Sequence, residues 1–225
     1  MTWVKICGTT NLEDALLAVD ADADAVGFVF YERSPRNIGV ATAQAIVEKL
    51  PANVEKVGVF VDAGIESIRE TVSGAGLTIV QLHGEHSMRS AWLQDSSPAD
   101  RFGVSKVIPM IAGDALKDGG IFMGDRFRER TYAILIDNPA NGASGGTGST
   151  FDWAATRGMV QALSLRVPVI VAGGLTHLNV NQALHTFQPF GVDVASGVEA
   201  RPGKKDPDKV QAFVRAVREF DRKTS

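Results

Sequence analysis

The sequence predicts an α/β protein folded as one (β/α)8 barrel, a TIM barrel, and three observations predict it. Eight short β-branched runs recur along the 225 residues. Turn residues and then a stretch with apolar residues near helical spacing follow them. No Pro/Ser-rich linker or low-complexity segment divides the chain, so residues 1–225 read as a single catalytic-size domain. Eight βα units in one unbroken chain favour a closed barrel, whereas a doubly wound sheet usually uses fewer strands.

The elements follow in order. "WVKIC" at 3–7 is the first strand, and Asn11 opens the helical "NLEDALLAV" behind it. "AVGFVF" at 25–30 precedes "VATAQAIVEKL", and "KVGVF" at 56–60 precedes "IESIRETVSGAG". "LTIVQLH" at 77–83 and "VSKVIPM" at 104–110 are the fourth and fifth strands. The stretch after the fifth, "DALKDGGIFMGDRFRER", is Gly-rich and poorly periodic, which predicts a short helix. "YAILID" at 132–137, "VPVIVA" at 167–172 and "GVDVAS" at 191–196 complete the strands. "HLNVNQALHTF" fits the helix after the seventh, and "PDKVQAFVRAVREFDRK" a closing helix with a charged outer face.

Composition narrows the function classes. A hydrophobic fraction of 44 % and a charged fraction of 22 % are ordinary for a soluble globular protein. The net charge of −3, with both signs mixed along the chain, offers no nucleic-acid surface. One cysteine cannot form an internal disulfide and excludes a Cys-rich zinc site, which points to a reducing compartment. The N-terminus has no basic segment leading an apolar one, and no apolar run approaches membrane length. These features predict a cytoplasmic protein with neither a membrane nor a nucleic-acid partner. They do not decide between a monomer and a homodimer.

Chemistry in such barrels sits at the C-terminal ends of the strands. That rule puts the lone thiol, Cys7, at the catalytic mouth. Strand alternation turns Cys7, Lys5 and Trp3 inward while Val4 and Ile6 face the helices. Asp137 ends the sixth strand on the face of Leu135 and Ala133, so an acid and a thiol share the mouth. Taken singly, a strand-end Cys is usually a small buried hydrophobe and an Asp before Asn-Pro a turn former. Their joint placement favours the functional reading.

Glycine clusters follow the last three strands. "AGGLTHLN" carries Gly173 and Gly174 after the seventh, and "SGVEARPGKKD" carries Ser196 and Gly197 after the eighth. Loops at these two places commonly cradle phosphate, because glycine lets backbone N–H groups approach an anion. They predict a phosphorylated small-molecule substrate. "SGGTGSTFDW" after the sixth strand, with Gly145, Gly146, Thr147 and Gly148, has the glycine density of a mobile lid.

These residues resemble the phosphoribosylanthranilate isomerase family. "KICG", "SPR" at 34–36, "QLHG" at 81–84, "ID" at 136–137, "GGTG…FDW", "AGGL…NV" and "GVDVASGVE…PGKKD" match it in order across almost the whole chain. The resemblance implies an Amadori rearrangement of N-(5′-phosphoribosyl)anthranilate, an aminoaldose, to 1-(2-carboxyphenylamino)-1-deoxyribulose 5-phosphate in tryptophan biosynthesis. It implies no cofactor and no metal. It assigns Asp137 as general acid, Cys7 as general base and Arg36 as holder of the anthranilate carboxylate. Gln81 and His83, inward on the fourth strand, become candidates for substrate contact, though His83 equally suits a barrel histidine with satisfied bonds. Asp193 either orients substrate or Arg36, or pairs with Lys5. Lys5 in turn is a candidate cation for lowering the Cys7 pKa.

The chain departs from the family pattern at Asp22, where a glycine commonly closes the first helix, at His177 in place of proline, and at Ala195 in place of serine. Thr176 can still cap the helix after "GGLT". Competing readings are the histidine-pathway aminoaldose isomerase, which has an acid where Cys7 stands, and indole-glycerol-phosphate synthase, for which Lys106 is the one tempting lysine. A non-catalytic phosphosugar-binding barrel would need neither Cys7 nor Asp137.

Overall fold

The computed structural model describes residues 1–84, 97–113, 129–137 and 152–224. Eight parallel strands close into a barrel in chain order: β1 (Trp3–Ile6), β2 (Ala25–Phe30), β3 (Glu55–Val61), β4 (Ile79–His83), β5 (Lys106–Ala112), β6 (Ile134–Asp137), β7 (Val169–Val171) and β8 (Gly191–Val194). β8 pairs back onto β1 with Lys5 beside Asp193. Around it lie α1 (Leu12–Asp20), α2 (Val40–Val47), α3 (Ile65–Ala75), α4 (Pro98–Phe102), α5 (Trp153–Ser164), α6 (Val180–Phe187) and α7 (Pro207–Thr224). Each expected strand is present, with ends shifted by at most two residues. The expected short helix after β5 falls mostly outside the described residues.

The strands form because both of their faces are buried, which suits near-continuous β-branched runs. Val4, Ile6, Val26, Phe28, Val80 and Leu82 face the helices. Trp3, Ala25, Val57, Ile79, Ile108, Leu135 and Ile170 fill the barrel interior. Nearer the C-terminal ends the interior becomes polar at Lys5, Gln81 and Asp193, then reaches Cys7, Val29 and Val59 at the mouth.

Two local features differ from the sequence reading. α6 begins at Val180 rather than next to Thr176, because Thr176 and Asn179 close a turn first: Thr176 N donates to Asn179 Oδ1 at 2.8 Å. The "EARPGKK" stretch, expected as phosphate-loop sequence, folds into an antiparallel hairpin of β9 (Glu199–Arg201) and β10 (Lys204–Lys205). Asp22 adopts φ 70, the left-handed conformation expected of the glycine it replaces. Among the described residues no helix is long and apolar enough to cross a membrane.

Gly27 on β2 makes room for the interior charges. A Cβ there would lie 2.8 Å from Cys7 Sγ, 2.9 Å from Lys5 Cε and 3.1 Å from Cys7 Cα, the last being immovable backbone. Gly158 in α5 has nothing within 4 Å of its corresponding position. Urea denaturation should therefore show Gly27→Ala losing about 1–3 kcal/mol through overpacking. Gly158→Ala should gain about 0.5–1 kcal/mol from helix propensity. Equal effects at the two sites would contradict the packing described.

Candidate active site

The cavity at the C-terminal ends of the strands brings together Cys7, Arg36, Gln81, His83, Asp137 and Asp193. Val29, Tyr31, Val59 and Val61 give it an apolar wall. Cys7 sits one residue past β1 and its N–H still bonds Val194 O at 2.8 Å, so the thiol is held by ladder geometry. Asp137 is the last residue of β6 and is buried. Gly173 and Gly174 turn the chain after β7 with φ of 82° and 65°. Ser196 and Gly197 open a 3-10 turn after β8. These two loops touch: a Cβ on Gly197 would lie 1.8 Å from Leu175 O, so only glycine fits. Ala195, next to Ser196, lines the cavity, whereas Gly173, Gly174, Ser196 and Gly197 are not among its lining residues. Gly145, Gly146, Thr147 and Gly148 lie outside the described residues.

One buried cation organises the interior. Lys5 is fully buried, and its Nζ lies 2.9 Å from Asp193 Oδ1 and 2.8 Å from Gln81 Oε1. Burial opposes its charge, but Asp193 and the neighbouring thiol outweigh that and raise its pKa above the ordinary value. An ammonium accepts no hydrogen bond, so Gln81 must turn its oxygen toward Lys5 and its NH2 toward His83. Gln81 Nε2 then donates to His83 Nε2 at 2.6 Å. That bond requires an unprotonated Nε2 and hence a neutral ring with its proton on Nδ1. Burial first, and the Lys5 charge second, push the His83 pKa down to about 3.

Asp193 thus pairs with Lys5, the second of the two roles expected for it. The effect on Cys7 differs from the expectation of a thiol activated by Lys5. Burial pushes the Cys7 pKa up and Asp193 pushes the same way; Lys5 and Lys205 oppose them without prevailing. The resting thiol is protonated.

A second charged group lies under the mouth. Arg36 Nε and Nη2 donate to Glu199 Oε1 and Oε2, both at 2.8 Å, a bidentate pair buried on both sides. Lys205, also buried, donates to Glu199 Oε1 at 3.1 Å, Cys7 O at 2.6 Å and Ala195 O at 3.2 Å. Burial opposes ionisation of Glu199, but the Arg36 and Lys205 partners win and lower its pKa. Sequence reasoning missed Glu199 and Lys205. A glutamate next to an apolar run, with two lysines beyond a Pro-Gly turn, was the only local sign of them.

Lys106, the lysine considered for a synthase, begins β5 and pairs with Glu55, the first residue of β3. It stands at the end of the barrel away from the mouth. Among the described residues no group of three or more His, Cys, Asp or Glu is placed to hold a metal ion.

A closed parallel barrel with its titratable groups gathered at the C-terminal strand ends defines a TIM-barrel enzyme. The family model of N-(5′-phosphoribosyl)anthranilate (PRA) isomerase matches residues 4–216. The N-(5′-phosphoribosyl)anthranilate isomerase of Pelobacter propionicus is 42 % identical over 219 residues, covering 97 % of each chain. The crystal structure of phosphoribosyl anthranilate isomerase from Thermotoga maritima superposes with a TM-score of 0.78 at 37 % identity, over 97 % of this chain and 100 % of that one. A phosphoribosyl anthranilate isomerase structure in complex with reduced 1-(o-carboxyphenylamino)-1-deoxyribulose 5-phosphate gives a TM-score of 0.75 at 36 % identity, with the same coverage. The chain belongs to the N-(5′-phosphoribosyl)anthranilate isomerase family.

The His83 assignment has a measurable consequence. With a folded pKa of about 3 against an ordinary 6.5, the unfolded chain binds the extra proton between those values. This contribution to stability is therefore complete above pH 6.5 and is lost as pH falls through the window. Between pH 7 and 5, wild-type unfolding free energy should drop by about 2 kcal/mol more than that of His83→Gln. Parallel pH profiles would contradict a His83 held neutral by the fold.

Proposed function

We propose that this chain, acting as one catalytic domain over 1–225, isomerises N-(5′-phosphoribosyl)anthranilate with Cys7 as general base and Asp137 as general acid. The observation that carries the reading is the shared cavity: in a member of this isomerase family, a thiol and a carboxyl group from different strands line one pocket beside an arginine. The substrate's sugar phosphate reaches the glycine loops at Gly173, Gly174, Ser196 and Gly197. Its aromatic ring lies along Val29, Tyr31, Val59 and Val61, and its carboxylate meets Arg36. Gln81, His83 and Asp193 form the polar floor beneath.

Asp137 gives its proton to the furanose ring oxygen as the C1′–O bond breaks and the amine lone pair forms the Schiff base. Cys7, as thiolate, then takes the C2′ proton. The freed electron pair makes the C1′–C2′ double bond of an enolamine. Loss of the 2′-hydroxyl proton and gain of one at C1′ complete the ketone, with no external oxidant or reductant. The lone thiol and the biosynthetic role fit a cytoplasmic location.

Fluorescence decay of phosphoribosylanthranilate generated in situ tests the roles. Cys7→Ser and Asp137→Asn should each reduce kcat by about 10²–10⁴-fold or more. Activity surviving in both folded variants would remove these assignments, and binding surviving without turnover in the wild type would favour a phosphosugar-binding barrel. The raised Cys7 pKa is open to direct titration. In the free enzyme the ultraviolet absorbance of the thiolate, the form that acts as base, should still be less than half developed at pH 9 and should be absent from Cys7→Ser. A thiolate signal complete near neutral pH would contradict it.

A further inference from the structure

Arg36 reaches the cavity from the loop after β2, and its surroundings constrain it on every side. Gly8, at φ 75, leaves space for the arginine stem: a Cβ there would lie 2.5 Å from Arg36 Cδ. Ser34 Oγ accepts from Arg36 N at 3.1 Å. Glu199 then fills the Nε–Nη2 edge of the guanidinium. A guanidinium has a second bidentate edge, formed by Nη1 and Nη2, that matches another carboxylate. Arg36 lines the cavity and Glu199 does not.

Glu199 is itself fixed. Its Oε1 also accepts from Lys205 Nζ and from Gly203 N at 3.3 Å. The hairpin that carries it is anchored on α1: Lys204 Nζ and Lys205 N donate to the two oxygens of buried Asp14, each at 2.8 Å. Asn11 orders that carboxylate through its side-chain amide at 2.9 Å. Arg36 cannot rotate without breaking an ion pair whose partner is held by two further donors, Lys205 Nζ and Gly203 N.

We propose that Glu199 is the positioning residue for carboxylate selection, occupying one edge of Arg36 so that the other faces the cavity as the seat for the substrate's ortho-carboxylate. The inference rests on the proposed role of Arg36 in holding that group. Without Glu199 the arginine would be free to fold back, and the enzyme would lose preference for a carboxylated ring while keeping its grip on the sugar phosphate. The β9–β10 hairpin is thereby a specificity element.

Calorimetry with two ligands tests this: reduced 1-(o-carboxyphenylamino)-1-deoxyribulose 5-phosphate and the same compound lacking the carboxyl group. The ratio of their affinities isolates the carboxylate, which a general loss of structure would not change. Glu199→Gln should reduce that ratio by about 10- to 100-fold, the range for a charged hydrogen bond. Arg36→Met should reduce it at least as far, and the double variant no further than Arg36→Met. In turnover, Glu199→Gln should raise KM with kcat changed less than about threefold. Glu199→Asp, which keeps the charge beside Lys205 but withdraws it by one methylene, should show the same change to a smaller degree. It is the variant to read if Glu199→Gln melts early. An unchanged ratio in both Glu199 variants, with Arg36→Met reducing it, overturns the proposal and leaves the Arg36 role standing. An unchanged ratio in Arg36→Met removes the Arg36 role and the proposal with it.

Discussion

A full positive charge inside a closed barrel must be answered by the strands around it, and Lys5 imposes that condition on this fold. Removing one partner from such a buried pair typically costs about 3–5 kcal/mol, because the other charge is left without compensation. Asp193 on the adjacent strand supplies the counter-charge, Gln81 from β4 supplies the second oxygen, and Gly27 supplies the volume. Once Gln81 has turned its oxygen to the ammonium, its NH2 fixes the protonation of His83. Four residues therefore have one arrangement between them. Cys7 stands directly above on the same strand face, so the electrostatics of the thiol are set by groups whose own positions are not adjustable.

The mouth carries a second compensated set of charges, and the two sets divide the work. Lys5, Asp193, Gln81 and His83 form a rigid floor. Arg36, Glu199 and Lys205 form a rim, joined to the floor through the carbonyl of Cys7, which accepts from Lys205. The floor pairs Lys5 with Asp193, the rim sets the two cations Arg36 and Lys205 on the one carboxylate of Glu199, and Arg33 and Asp137 also line the cavity. Burial then dominates the thiol and keeps it protonated. A protonated, buried thiol is a poor nucleophile toward adventitious oxidants, and only its deprotonated fraction is available as a base.

Much of the floor was legible in the sequence because strands have a strict period of two. Cys7 and Lys5, Gln81 and His83, and Asp137 were each placed inward by counting from their neighbours, and the resemblance to a known family attached roles to them. The pairing of Lys5 with Asp193 was one of two stated options, since adjacency of the first and last strands follows from closure of the barrel. The rim was not legible. Arg36 and Glu199 are 163 residues apart, and no local periodicity links a loop arginine to a hairpin glutamate. The hairpin itself was hidden by its glycine and proline, which read equally well as a phosphate loop. The direction of the Cys7 shift was hidden for another reason: Lys5, Asp193, Lys205 and burial pull in opposite senses, and only their positions decide the sum.

The most direct measurement is a crystal structure of this protein with reduced 1-(o-carboxyphenylamino)-1-deoxyribulose 5-phosphate bound. The expected result places Cys7 Sγ and the Asp137 carboxyl against the C1′–C2′ region. The phosphate should rest on the Gly173–Gly174 and Ser196–Gly197 loops, and the carboxylate on the Nη1–Nη2 edge of Arg36 with Glu199 still on the other edge. A ligand seated with its carboxylate away from Arg36, or with C2′ out of reach of the thiol, would contradict the account.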